Sequence, residues 1–252
     1  VTGTPASQTL HELYNVCAYW GPRQETPEAC AWRAQTLLNL LASYDAVLAG
    51  WNKIPKPRGR GRKNPLTPPD LAVLTEAFRR GVNREPGGPA IERLGLTVSA
   101  YNDGERQDRA HLNMICGSYA EGMSNLCVLE LPSDGESADR LLTSPMLMSI
   151  VRGMVSAWEP DWALAGSSSY RMQYREPDSS PFSLNWLTYL SHRLGRVPPL
   201  PAPVRIEPIE DRGTLIILTP ERFTVSNPEH VALARRVREL LARAGLIQPA
   251  TS

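Results

Sequence analysis

The sequence lacks a charge bias. Its 27 lysines and arginines face 26 aspartates and glutamates, a formal net charge of +1 over 252 residues. No global field therefore draws the chain to nucleic acid or an anionic membrane, and such a partner would have to be met by a local patch. It also lacks a long apolar run: nothing approaches the roughly 18 residues of a membrane span. The segment Val1 to Pro5 has neither the basic start nor the apolar core of a signal peptide. A soluble cytoplasmic protein is the expectation, and the first residue, valine, points to a trimmed or processed start. With no Gly-Lys pair there is no Walker loop, and GxGxxG, HExxH and GxSxG are missing as well. The ordinary motif-bearing enzymes are thereby disfavoured.

Cysteine is scarce. Cys17, Cys30, Cys116 and Cys127 stand 13, 86 and 11 positions apart, with no CxxC pair and no histidine at ligand spacing. They read as buried reduced thiols, three in strands and Cys30 on a helix. Neither a metal nor another cofactor is expected. His11, His111, His192 and His230 are scattered. Gly166 to Ser169 is the one serine cluster a hydrolase could use, although a turn needs glycine and serine just as much.

Proline is abundant, 23 of 252 residues or about 9% against a usual value of roughly 5%. The hydrophobic content, 42%, is that of an ordinary globular protein, so proline here punctuates a fold. Four times a capping residue stands directly before it, at Thr26-Pro27, Thr67-Pro68, Ser144-Pro145 and Asn227-Pro228, a pairing that suits a helix start. Helical spacing follows each. Cys30, Ala34, Leu37, Leu41, Tyr44 and Leu48 form one stripe, with Asp45 a candidate cap for a separate helix; Leu71, Leu74 and Phe78 form another. Leu147, Ile150, Val151, Met154 and Trp158 form the third, and Leu233, Val237, Leu240 and Leu241 the last.

Strand-like runs lie between. Alternation from Leu10 to Trp20 and the nearly continuous apolar run Leu126 to Leu131 predict strands, the second a central one. Weaker candidates are 96–101, 112–116, 170–174 and 184–190, and Glu210 to Gly213 suits a hairpin turn between 204–209 and 215–218. Strands in groups predict an α+β fold, a mainly antiparallel sheet packed with four to five helices in a single domain over 1–252.

Two segments carry one sign of charge. Lys53 to Lys63 holds six basic residues among glycines and prolines and reads as a flexible basic loop. It lacks aromatics for base stacking, so nucleic-acid binding through it is only the alternative function. Glu130 to Asp139 holds Glu130, Asp134, Glu136 and Asp139 without a base and reads as an acidic loop after a strand.

From Tyr19 to Glu25 the chain reads YWGPRQE, followed by Glu28 to Ala31 and Leu37-Leu38. With 46–51, 81–84, 91–95, 185–191, 213–216, Phe223, 227–232 and 244–246, taken in order, it resembles the immunity protein 52 family of bacterial polymorphic-toxin systems. The resemblance covers most of the chain, apart from the basic stretch. It implies a non-catalytic antitoxin that binds and neutralises a cognate toxin, typically a nuclease of restriction-endonuclease-like fold delivered by a type VI or related system. Within the shared motifs Trp20, Gly21, Arg23, Glu25 and Trp51 are expected to be structural, Arg23 and Glu25 as an ion pair between elements. The four acids, with Trp186 and Tyr189 as aromatic anchors, are the expected toxin contacts. A membrane partner is not expected.

Overall fold

The structure is a computed structural model that describes residues 12–54, 64–85, 87–174 and 182–247. Nine strands make one antiparallel sheet: β1 (Tyr14–Trp20), β2 (Trp51–Lys53), β3 (Leu96–Asn102), β4 (His111–Cys116), β5 (Asn125–Leu131), β6 (Trp162–Ser167), β7 (Leu187–Ser191), β8 (Arg205–Ile209) and β9 (Gly213–Ile217). Their order is β2-β3-β4-β5-β1-β6-β7-β9-β8. The first strand of the chain is thus the middle of the sheet, paired with β5 on one side and β6 on the other.

Among the described residues six helices accompany it: α1 (Pro27–Tyr44), α2 (Leu71–Arg79), α3 (Gly135–Leu141), α4 (Ser144–Trp158), α5 (Ser168–Gln173) and α6 (Pro228–Arg243). The α+β class and antiparallel sheet are as expected. The helix number exceeds four to five because α3 and α5, of 7 and 6 residues, are too short to show a stripe.

The proline-marked starts hold with two shifts. Thr26 accepts from the Ala29 amide and Asn227 from that of Glu229, each directly before proline. At 143–145 the cap is Thr143, one residue earlier than expected, which leaves Ser144 inside the helix and buried. Thr67-Pro68 starts no helix: α2 begins at Leu71, where Asp70 accepts from the Val73 amide. Asp45 ends α1 and its carboxylate starts the 3-10 turn Ala46–Leu48 by accepting from the Val47 amide, as expected of a cap.

Three further expectations are corrected. Residues 170–174 are not a strand, because the Ser167 hydroxyl, at the end of β6, accepts from the Tyr170 amide and turns the chain into α5. The acidic segment is no loop: Glu130 lies in β5 and Glu136 and Asp139 lie on α3. Trp186 and Tyr189 are fully buried, so they belong to the core and are not surface anchors. The reason is that β7 is covered on both faces, all five of its residues being buried.

Helices α1, α2 and α4 form one layer over the sheet, with α4 against β1, β6 and β7 and α2 against β3. The strands turn Val98, Leu112, Met114, Cys127, Leu129, Val16 and Ala18 toward it, all buried. The approach is closest at Gly81, where α2 ends: a Cβ there would lie 2.2 Å from the Thr97 carbonyl oxygen of β3. No helix among the described residues is long and apolar enough to cross a membrane.

Trp186 donates from its indole to the Thr219 carbonyl at 2.9 Å. Its replacement by alanine is expected to lower unfolding free energy by about 3–5 kcal/mol, measured by urea denaturation. An unchanged midpoint would return Trp186 to the surface.

Candidate partner-binding face

Chain positions 20–25 close one end of the helical layer. The Trp20 indole stacks on that of Trp158, centroids 5.2 Å apart, with the Arg23 guanidinium 5.1 Å over the Trp20 ring. Val155 O still accepts from the Glu159 amide at 3.0 Å, whereas the carbonyls of Ala157 and Trp158 lie past the end of the helical ladder, and arginines donate to all three. Arg23 donates to Trp158 O at 2.9 Å, Arg33 to Ala157 O at 2.9 Å and Arg212 to Val155 O at 3.3 Å. Glu25 lies between Arg23 at 3.1 Å and Arg33 at 2.7 Å. The contact with Arg23 is close as a pair of charges but out of line for a hydrogen bond. The Gly21 amide donates to Asp161, and Asn125 donates to the Gly21 carbonyl. Trp51 is buried and donates to Leu48 O at 2.7 Å. These positions join elements.

The remaining chemistry-bearing candidates are occupied in the same way. Ser167 is buried as the cap of α5, and the Ser168 hydroxyl accepts from Asn15 at 2.8 Å. No histidine bonds to either among the described residues. His230 is buried, stacked on Phe223, accepting from the Thr224 amide and 3.2 Å from Glu221. The four cysteines are free and buried. No group of three or more histidine, cysteine or acidic side chains among the described residues could hold a metal ion. The basic stretch falls at 55–63 outside the described residues; Lys53 closes β2 and donates to Ala77 O.

The sheet's second face is different. Across β3, β4, β5, β1 and β6 the register aligns three rows of side chains: Thr97, Ile115, Leu126, Tyr19 and Trp162; Ser99, Asn113, Val128, Cys17 and Leu164; Tyr101, His111, Glu130, Asn15 and Gly166. On β3, β4 and β5 none of these residues is buried, whereas every helix-side residue of the same strands is. Leu126 to Leu131 is continuous because both faces are apolar, although only one is covered. Helix α5 reaches this face at its margin, where Arg171 donates to the Tyr19 hydroxyl at 3.0 Å and lies against the Cys17 sulfur. The Tyr19 ring stacks on Trp162 at 4.2 Å. Burial pushes the Cys17 thiol up, against the pull of Arg171, so it stays protonated. Sequence reasoning missed Ile115, Leu126 and Val128 as half-exposed residues, because an apolar strand reads as buried until its cover is known.

Beyond the third row opens a groove of about 550 Å³, lined among others by Asn15, Arg109, His111, Glu130 and Asp134. Glu130 faces His111 at 3.3 Å. All four expected contact acids are exposed, Glu130 and Asp134 in the groove wall and Glu136 and Asp139 on α3. The β3–β4 connection, packed on α3, adds Asp103, Glu105 and Asp108, and Asp45 pairs with Arg140 of α3. Eight acids gather at this end with Arg109, Arg140 and Arg222, the last donating to Ser133 O in the groove wall, so that among the described side chains acids predominate here in a chain whose total is +1.

An apolar strand face left open on β3, β4 and β5 and ending in an acidic rim is the kind of surface that protein contacts use. The family model of immunity protein 52 matches residues 12–250, and the chain belongs to that family. Among solved structures it is similar to the Pseudomonas aeruginosa T6SS protein PA0821, with a TM-score of 0.55 and 11% identity over 91% of this chain and 76% of that one. At that identity the likeness is one of fold. No curated protein matches the chain.

Two outcomes follow from this geometry. Arg23→Ala removes a carbonyl cap, a ring contact and a partner of Glu25, and is expected to cost about 2 kcal/mol of stability; retained stability in urea would remove its structural role. Burial raises both Tyr14 and Tyr19 from 10.0 to about 12. Raised folded values mean that the stability tied to these phenols is complete below pH 10 and is lost as pH rises toward 12. Phenolate absorbance and thermal melts across that window check it.

Proposed function

We propose that this protein binds and neutralises a cognate secreted toxin of nuclease type by surface contact, without catalysis. The immunity protein 52 family supports the immunity role, and the T6SS protein of similar fold supports delivery of that toxin between bacteria by a type VI system. The nuclease reading rests on one observation, the acidic end. A nuclease must hold a phosphate backbone and so presents basic surface, and an end where acids predominate complements it. The chain's near-neutral total argues against mimicry of DNA by the whole molecule and for a local patch. A nuclease attacks nucleic acid in the cytoplasm, which is where its immunity protein is needed.

Calorimetry of the purified protein with the toxin-like product encoded beside its gene tests the reading; a tight stoichiometric complex is expected, and none with a verified folded toxin would end it. Within that complex Glu130, Asp134, Glu136 and Asp139 steer association. Changing all four to their amides is expected to slow the on-rate by roughly tenfold at low salt and flatten its salt dependence. Stopped-flow rates equal to the unaltered protein's would reject the steering role.

A further inference from the structure

The uncovered half-face and the acidic end form one continuous surface, and its layout is specific. The first row sets Ile115, Leu126, Tyr19 and Trp162 side by side, an apolar band where an antiparallel sheet facing water would normally carry polar residues. The third row ends the face with His111, Glu130 and Asn15 at the groove. Asn15 is only 8% exposed, and its side-chain oxygen has no donor among the described residues, while its nitrogen is satisfied by Ser168. A buried acceptor left open beside a carboxylate favours an N–H donor with positive charge.

Size adds a second argument. Three open strands at about 4.8 Å and three rows over about 14 Å cover on the order of 200 Å². A stable complex needs roughly 800 Å² per partner. The band alone is too small, and the contact has to run on over its neighbours. Those are the acidic end, beyond the third row, and α5, whose Met172 is 75% exposed. The opposite layer offers a competing patch at Trp32 on α1, 57% exposed, but Glu28 and Arg79 pair beside it and no charge of one sign frames it.

We propose that the toxin docks on the second face of the sheet, with an apolar patch on the band around Leu126 and, about 14 Å away, an arginine or lysine in the groove beside Glu130 and Asn15. This rests on the immunity reading and names its interface. The occupant is a basic protein surface, chosen by the charge of the groove end and by the area that the band leaves unfilled.

The test is the complex of the full chain with the toxin-like product encoded beside its gene. Leu126→Glu puts a charge at the centre of the band and is expected to raise Kd at least about a hundredfold, with Trp32→Ala within about twofold. Hydroxyl-radical footprinting of the unaltered complex needs no variant to fold, and protection of Ile115 and Trp162 with Trp32 still oxidised is the expected pattern. Binding by a folded Leu126→Glu protein as tight as the original, or protection at Trp32 and none at Trp162, overturns the face and leaves the immunity reading standing. No complex with the unaltered chain overturns both.

Discussion

The C-terminus of α4 is the constraint on which the helical layer depends. Carbonyls of Val155, Ala157 and Trp158 end a 15-residue helix whose dipole concentrates negative potential there, and the chain leaves it through Glu159 in a left-handed conformation. Arginines from three separate places, Arg23 after β1, Arg33 on α1 and Arg212 before β9, supply the donors. Their charges are in turn met by Glu25 and Glu159. Because Trp158 of the same turn stacks on Trp20, the central strand, the first helix and the far hairpin are tied at a single point.

That joint decides which face of the sheet is covered. Helices α1, α2 and α4 stack together on one side, and α5 reaches the margin of the other. Burial there is complete at β7, while β3, β4 and β5 keep theirs open. An open apolar face costs solubility and invites association, so its presence in an immunity protein has a ready use. The acids collect at the end of that face for a topological reason: the β3–β4 connection and the β5–α3 connection both emerge there. A chain of net charge +1 thus separates its charge in space without a biased composition.

In the proposed function, separation of this kind would suit an inhibitor that must find a basic partner fast and hold it by desolvated contact. A charged rim acts at a distance and mainly on the encounter rate. An apolar band acts only on contact and mainly on dissociation. Ser167 caps a helix and His230 is a core contact.

Local physics was legible from residues alone. The stripe from Cys30 to Leu41, the caps Thr26, Asp45 and Asn227, and the strands expected at 96–101, 112–116 and 126–131, each found within one residue, depend on neighbours within a few positions, and periodicity reports them. The same reasoning failed at 170–174, where one hydroxyl at Ser167 outweighed an apolar pattern, and at Thr67-Pro68, where the cap moved to Asp70. Trp186 and Tyr189 looked like anchors because an aromatic at the end of an element is equally suited to rim and core. By itself the sequence determined the class of fold, the family and which residues are apolar or charged. Only the tertiary structure decided which apolar strand face stays uncovered and which acids share one end, because both depend on contacts between segments a hundred residues apart, such as Arg33 with Ala157 and Tyr19 with Trp162.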